Sequence, residues 1–188
     1  WHASRETFSN AFTQWQRDWE SLGMDRYLGH YSAHFNADGK ADLLWRSNGG
    51  ATAMWLMNGL ATASSAILSG DPSYSVTRTG DFNGDGKSDL VWRSTGGVTA
   101  LWLQNGTSTL ASAVLSVDPA WQIVHVGDFN GDFKSDILWR STSGIVALWL
   151  LDGTAVTSTA VLSNSTAWNV THVGDFNGDG KVDLLWRD

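Results

Sequence analysis

The 188 residues contain no cysteine, so the chain can build neither a disulfide framework nor a thiolate metal site. Basic residues are also scarce: 12 Lys and Arg stand against 19 Asp and Glu, for a formal net charge of −7. Nucleic-acid partners require clustered cations facing phosphates, and this balance argues against them. There is no apolar run approaching the ~20 residues of a membrane-spanning helix, and no signal-peptide pattern. The first residue is Trp1 rather than Met, consistent with a processed or truncated precursor. Proline occurs twice. No histidine has zinc-site spacing, and no nucleophile motif, phosphate loop or dinucleotide fingerprint is found, so nothing identifies an enzyme.

Tryptophan and glycine are abundant, with 12 Trp and 20 Gly. Together they point to many short strands and tight turns. The most informative stretch is Asp81-Phe82-Asn83-Gly84-Asp85-Gly86-Lys87-Ser88-Asp89. Oxygen-bearing side chains at alternate positions can surround one hard cation, glycine permits the sharp turn, and the Lys87 carbonyl supplies a further ligand. An EF-hand would close with Glu at position 12, whereas here Asp closes at position nine and a strand-like run follows. The expected ion is Ca2+, held by Asp81, Asn83, Asp85, Lys87 and Asp89.

The same loop returns as Asp128, Asn130, Asp132, Lys134 and Asp136, and as Asp175, Asn177, Asp179, Lys181 and Asp183, with a weaker relative at Asn36, Asp38 and Asp42. Starts at 34, 81, 128 and 175 define a period of 47 residues. A fixed period of this size marks a repeat architecture. In the third loop Phe133 replaces a glycine at a turn that needs positive φ, which implies strain. In the first, His34 replaces the leading Asp and Ala37 a glycine. The sites read as structural, since one acidic cluster per repeat holds neighbouring strands together.

Residues 1–33 differ from the rest. Phe8, Phe12, Trp15, Trp19 and Leu22 fall on one helical face, so an N-terminal amphipathic helical segment is expected. Residues 24–33 read both ways, as a second short helix or as a degenerate first strand, because Tyr27 lies one period before Tyr74. The segment 12–35 resembles the opening helices of NTF2-like domains through Asp25, Tyr27, Leu28, Tyr31 and Ser32, but the curved sheet of such domains does not follow. Beyond it the units are expected at 34–80, 81–127 and 128–174, with a partial one at 175–188. Each complete unit shows a strand into the loop, a strand out of it, an apolar third strand and a Thr- and Ala-rich fourth strand suited to an outer edge.

Asp-Phe-Asn-Gly-Asp-Gly-Lys-x-Asp followed by Leu-x-Trp-Arg resembles the FG-GAP, or VCBS-type, repeat of integrin-like β-propellers. The resemblance covers about residues 35–188. It implies an all-β propeller array of four-stranded blades, three complete and one partial, with calcium between the first two strands of each blade. It also implies an extracellular or cell-surface binding or adhesion module, some relatives being lectins. An array this short leaves its closure open among three routes: completion by residues 1–33, joining of two or more chains, or continuation in a longer protein. Self-association through the incomplete blade is accordingly expected.

The pairs Trp45-Arg46, Trp92-Arg93, Trp139-Arg140 and Trp186-Arg187 are expected to place Trp between blades and Arg beside a nearby Asp. Trp121 and Trp168, at strand entrances, are the candidate ligand-binding residues for a carbohydrate or protein ligand. His125 and His172 are expected on the surface. The function expected is a calcium-stabilised recognition or self-assembly module, lectin-like or structural; the alternative is a non-catalytic appendage or fragment of a larger secreted enzyme.

Overall fold

The computed structural model describes residues 32–188. The expected helical segment and all but the end of the strand-or-helix question at 24–33 lie outside the described residues; Ser32 and Ala33 are strand. Among those described, every element is a strand, and the strands form four antiparallel sheets in chain order. The first sheet contains β1 (Ser32–Ala33), β2 (Asp42–Arg46), β3 (Thr52–Asn58) and β4 (Ala61–Ser69). The second contains β5 (Tyr74–Gly80), β6 (Asp89–Ser94), β7 (Thr99–Asn105) and β8 (Ser108–Ser116), and the third β9 (Trp121–Gly127), β10 (Asp136–Ser141), β11 (Val146–Asp152) and β12 (Ala155–Ser163). The fourth has two strands, β13 (Asn169–Gly174) and β14 (Asp183–Arg187).

Each full sheet is a simple meander, so consecutive strands are neighbours and the fourth forms an edge. The polar composition of β4, β8 and β12 matches their exposure. The middle strands carry apolar residues on both faces because both faces are covered. Alternate residues of a strand point to opposite faces, and β6 shows the consequence: Leu90 and Trp92 pack with Phe35, Leu44, Met54 and Leu56 of the first sheet. Val91 points the other way, packing with Phe82, Leu101, Ile137 and Trp139 at the junction with the third sheet. Fully burying side chains of this size contributes about 1.5–3 kcal/mol each.

Turn chemistry fixes the spacing between sheets. Gly97 has φ of 89°, and a Cβ there would lie 2.5 Å from Pro119. Gly50 meets Pro72 in the same way at 2.5 Å. Only glycine supplies both the left-handed backbone and the room for the next sheet's entrance turn.

The Trp-Arg pairs depart from expectation in their second member. Trp92 and Trp139 are buried between sheets as expected, stacked obliquely on Trp102 and Trp149 with ring centroids 4.9 and 5.0 Å apart. Among the described residues, however, Arg46, Arg93 and Arg140 make their hydrogen bonds to carbonyl and hydroxyl oxygens rather than to Asp, although the charge of Arg46 acts on Asp71. Arg46 donates to the carbonyls of Pro72 and Tyr74, Arg93 to that of Pro119, and Arg140 to that of Trp168. Fixed-fork N–H donors suit the bare carbonyls of a turn, and each arginine thereby reaches the following sheet.

Candidate metal centre

The nine-residue loops sit between the first and second strands of each sheet. In the loop at 81–89, Asp81 Oδ1 accepts the N–H groups of Gly84 (2.7 Å) and Asp85 (3.2 Å), and Oδ2 accepts that of Gly86 at 2.8 Å. Asn83 Oδ1 accepts from Asp85 N at 3.0 Å and Asp85 Oδ1 from Lys87 N at 2.9 Å. Short polar side chains bonding the main chain two residues on are the local reason this stretch coils rather than extends. Gly84 and Gly86 take φ of 74° and 78°.

The loops at 128–136 and 175–183 repeat this bond for bond. Asp128 gathers Gly131, Asp132 and Phe133, while Asp175 gathers Gly178, Asp179 and Gly180. Asn130 and Asn177 accept from Asp132 and Asp179, whose own carboxylates accept from Lys134 and Lys181. The main-chain donors, that of Gly180 foremost, hold the Asp175 carboxyl below its ordinary range despite a smaller opposing effect of burial. Phe133 adopts φ of 65° where the other loops have glycine, and its ring is 88% exposed, so the strained backbone gains little from packing. In the loop at 34–42, the His34 ring bonds the Lys40 carbonyl at 2.8 Å in place of the missing Asp, and Asn36 and Asp38 keep their turns.

The ninth position has a role that residue type alone did not reveal. Asp89 is fully buried, with Oδ2 accepting the N–H of Phe82 at 2.9 Å and Oδ1 that of Gln104 at 2.8 Å. It therefore pins the loop to the end of β7. Asp42 does the same for Phe35 and Met57, and Asp136 for Phe129 and Leu151, while Asp183 holds Phe176. The retention of Asp42 in a loop that has lost its leading Asp was the available signal for this structural role. Burial pushes the Asp89 carboxyl up to about 6 against the pull of its two N–H donors, and the charges of Asp81 and Asp85 push it the same way. Asp136 is raised for the same reasons.

The donor set is of the chemical kind that a calcium ion takes. The donors are hard oxygens on one short turn, and each carboxylate oxygen bound to a single N–H keeps a second lone pair. The buried ninth carboxylate beside two like charges is the arrangement a cation would relieve. Among the described residues no group of three or more His, Cys, Asp or Glu side chains is placed to hold a metal ion. The loops are instead closed on their own main-chain N–H groups.

The candidate ligand-binding tryptophans separate. Trp121 is half-buried against the second junction, whereas Trp168 is 46% exposed. Trp168 lines an open surface depression with Leu162, Ser163, Leu184 and Trp186. His172 is exposed as expected, but His125 is half-buried and bonds the Val170 main chain.

A family model described as FG-GAP-like repeat matches three times in tandem, over residues 34–92, 81–139 and 128–186. The chain belongs to the FG-GAP-like repeat family. Each match runs from the start of one loop to the tryptophan after the next, so the family unit spans a junction between two of the sheets described above. FG-GAP-like repeats in general serve as propeller-like recognition or structural modules rather than catalysts. No curated protein matches this FG-GAP-like chain at a significant level. Among the described residues there is no helix long and apolar enough to cross a membrane.

Proposed function

We propose that this chain is a non-enzymatic recognition or assembly module that works outside the cell, its sheets closing into a propeller pinned by calcium in the loops at 81–89, 128–136 and 175–183. The observation that carries the reading is the bond-for-bond repetition of the loop geometry at successive sheet junctions. Extracellular calcium is abundant enough to fill sites with dissociation constants of roughly 10⁻⁴–10⁻³ M. In each loop the ligands would be the side chains at positions one, three and five and the carbonyl of the Lys at seven, with the carboxylate at nine anchoring the cluster from below. The test is thermal unfolding with calcium and with chelator. A clear drop in melting temperature on chelation is expected, and superimposable curves would remove the reading.

Two features bear on what is recognised. The open depression beside Trp168 would give a sugar ring an indole to pack against, and the two-stranded fourth sheet would give a second chain a surface to pair with. Leu185 on β14 is 50% exposed, whereas its counterparts Leu44, Val91 and Leu138 are buried. A glycan array at saturating calcium tests the first role and light scattering the second. A monomer with sugar affinity excludes assembly.

A further inference from the structure

Each loop is joined to the one before it through a single peptide plane. The N–H of Ser88 donates to the carbonyl of His34 at 2.6 Å, that of Ser135 to Asp81 at 2.6 Å, and that of Val182 to Asp128 at 2.8 Å. The donor is always the eighth residue of the later loop and the acceptor the first residue of the earlier one. The other end of the Ser135 N–H peptide is the carbonyl of Lys134, the seventh-position oxygen expected to face the cation. In a calcium-bound loop, one rigid plane would therefore join the ion to the leading aspartate of the neighbouring loop.

The surroundings leave this plane little slack. A Cβ on Gly80 would lie 2.7 Å from Ser135 Oγ, and one on Gly131 would lie 3.2 Å from Lys181 Cε. The eighth side chain of the later loop thus rests on the glycine before the earlier loop, and the seventh rests on the earlier loop itself. The acceptor carbonyl belongs to the residue whose carboxylate organises its loop: Asp81 gathers Gly84, Asp85 and Gly86, and Asp128 gathers Gly131, Asp132 and Phe133.

From this we infer that the loops bind calcium cooperatively, with the peptides Lys87-Ser88, Lys134-Ser135 and Lys181-Val182 as the coupling elements. The inference rests on the reading that the loops take calcium. A cation at the Lys134 carbonyl polarises that peptide and strengthens its N–H bond to Asp81. Asp81 is then held more firmly before its own loop fills, so less ordering remains to be done when the second ion arrives. Coupling of this kind is reciprocal, and in a tandem array it acts between nearest neighbours. The loop at 128–136 has a neighbour on each side and is the centre of the chain of contacts.

The experiment is a calorimetric calcium titration of the full 188-residue chain after chelation, compared with Asp132→Asn. Asp132 is exposed, and its side chain bonds only Lys134 and Asn130 of its own loop, so the fold is expected to survive. Wild type should titrate more steeply than independent sites. The variant should lose one site and bind at both neighbouring loops at least about fivefold more weakly. Amide proton shifts give a second measurement: calcium should move the Ser88, Ser135 and Val182 protons downfield in wild type. Independent sites, or a variant whose remaining affinities are unchanged, would overturn the coupling and leave the calcium reading intact. A flat titration overturns both.

Discussion

An Arg93 N–H donates to the carbonyl of Pro119, 3.1 Å away, and so joins the second strand of one sheet to the entrance of the next. A second N–H of the same guanidinium reaches Thr99 Oγ1 at 3.0 Å, so one side chain spans its own sheet and the following one. Hydrogen bonds to charged groups contribute about 1.5–3 kcal/mol each when partly shielded. Arg93→Ala should cost about 1–3 kcal/mol in urea unfolding, toward the low end because the site is half-exposed. Arg93→Lys should recover little, since an ammonium lacks the fork that reaches both oxygens. If the lysine variant unfolds at the wild-type urea midpoint, the bracing role is wrong.

The ninth-position aspartates separate structural pinning from ion binding. Asp89→Ala leaves the N–H groups of Phe82 and Gln104 without their acceptor, at about 1–3 kcal/mol each, with or without calcium. Asp85→Ala, at an exposed position, should cost less than about 1 kcal/mol in chelator and should abolish only the stability that calcium adds. Asp42→Ala extends the comparison, because it sits in the loop with the poorest ligand set but makes the same two bonds. Equal losses for Asp85→Ala and Asp89→Ala in chelator would contradict the division of labour.

Phe133, like Ala37 with φ of 51° in the loop at 34–42, is a position where sequence and backbone conflict openly. Its φ of 65° costs an L-residue about 1–2 kcal/mol, and at 88% exposure its ring repays none of it by burial. Phe133→Gly should therefore stabilise the chain by about 0.5–1 kcal/mol after the added entropy of the unfolded glycine. A destabilised variant in chemical denaturation would mean that the ring makes a contact worth more than the strain.

Much of this fold was legible because the repeat prints each element several times. The strand over residues 121–127 and the turn glycines follow from local pattern, and the apolar second and third strands announce sheets covered on both faces. The loops were legible as loops because alternate Asp and Asn residues next to glycine dictate Asx turns. The partners of Arg46, Arg93 and Arg140 were not. Residue type suggests carboxylates, but stacking one sheet on the next brings turn carbonyls within reach instead, and a main-chain acceptor leaves no mark in a sequence. The buried role of Asp89 was hidden likewise, since a ligand and a pin are the same residue until the end of β7 is placed beside it.

His125 gives the array a pH response whose sign is fixed by its surroundings. Burial lowers its pKa below 6.5, the charges of Arg78 and His172 act in the same direction, and the bond to the Val170 main chain opposes them. The folded state therefore favours the neutral ring. Its contribution is present above about pH 6.5, the unfolded value, and is lost as pH falls through that value and the lower folded one. His125→Gln has no charge to gain, so the difference in urea midpoint between wild type and variant should shrink or reverse between pH 7.5 and about 5. Two midpoint curves that stay parallel across this window would show that His125 titrates alike in both states. His172→Gln removes one of the two neighbouring charges and should weaken the pH response without abolishing it, because Arg78 remains bonded to the Ile123 and Val124 carbonyls of the ring's own strand.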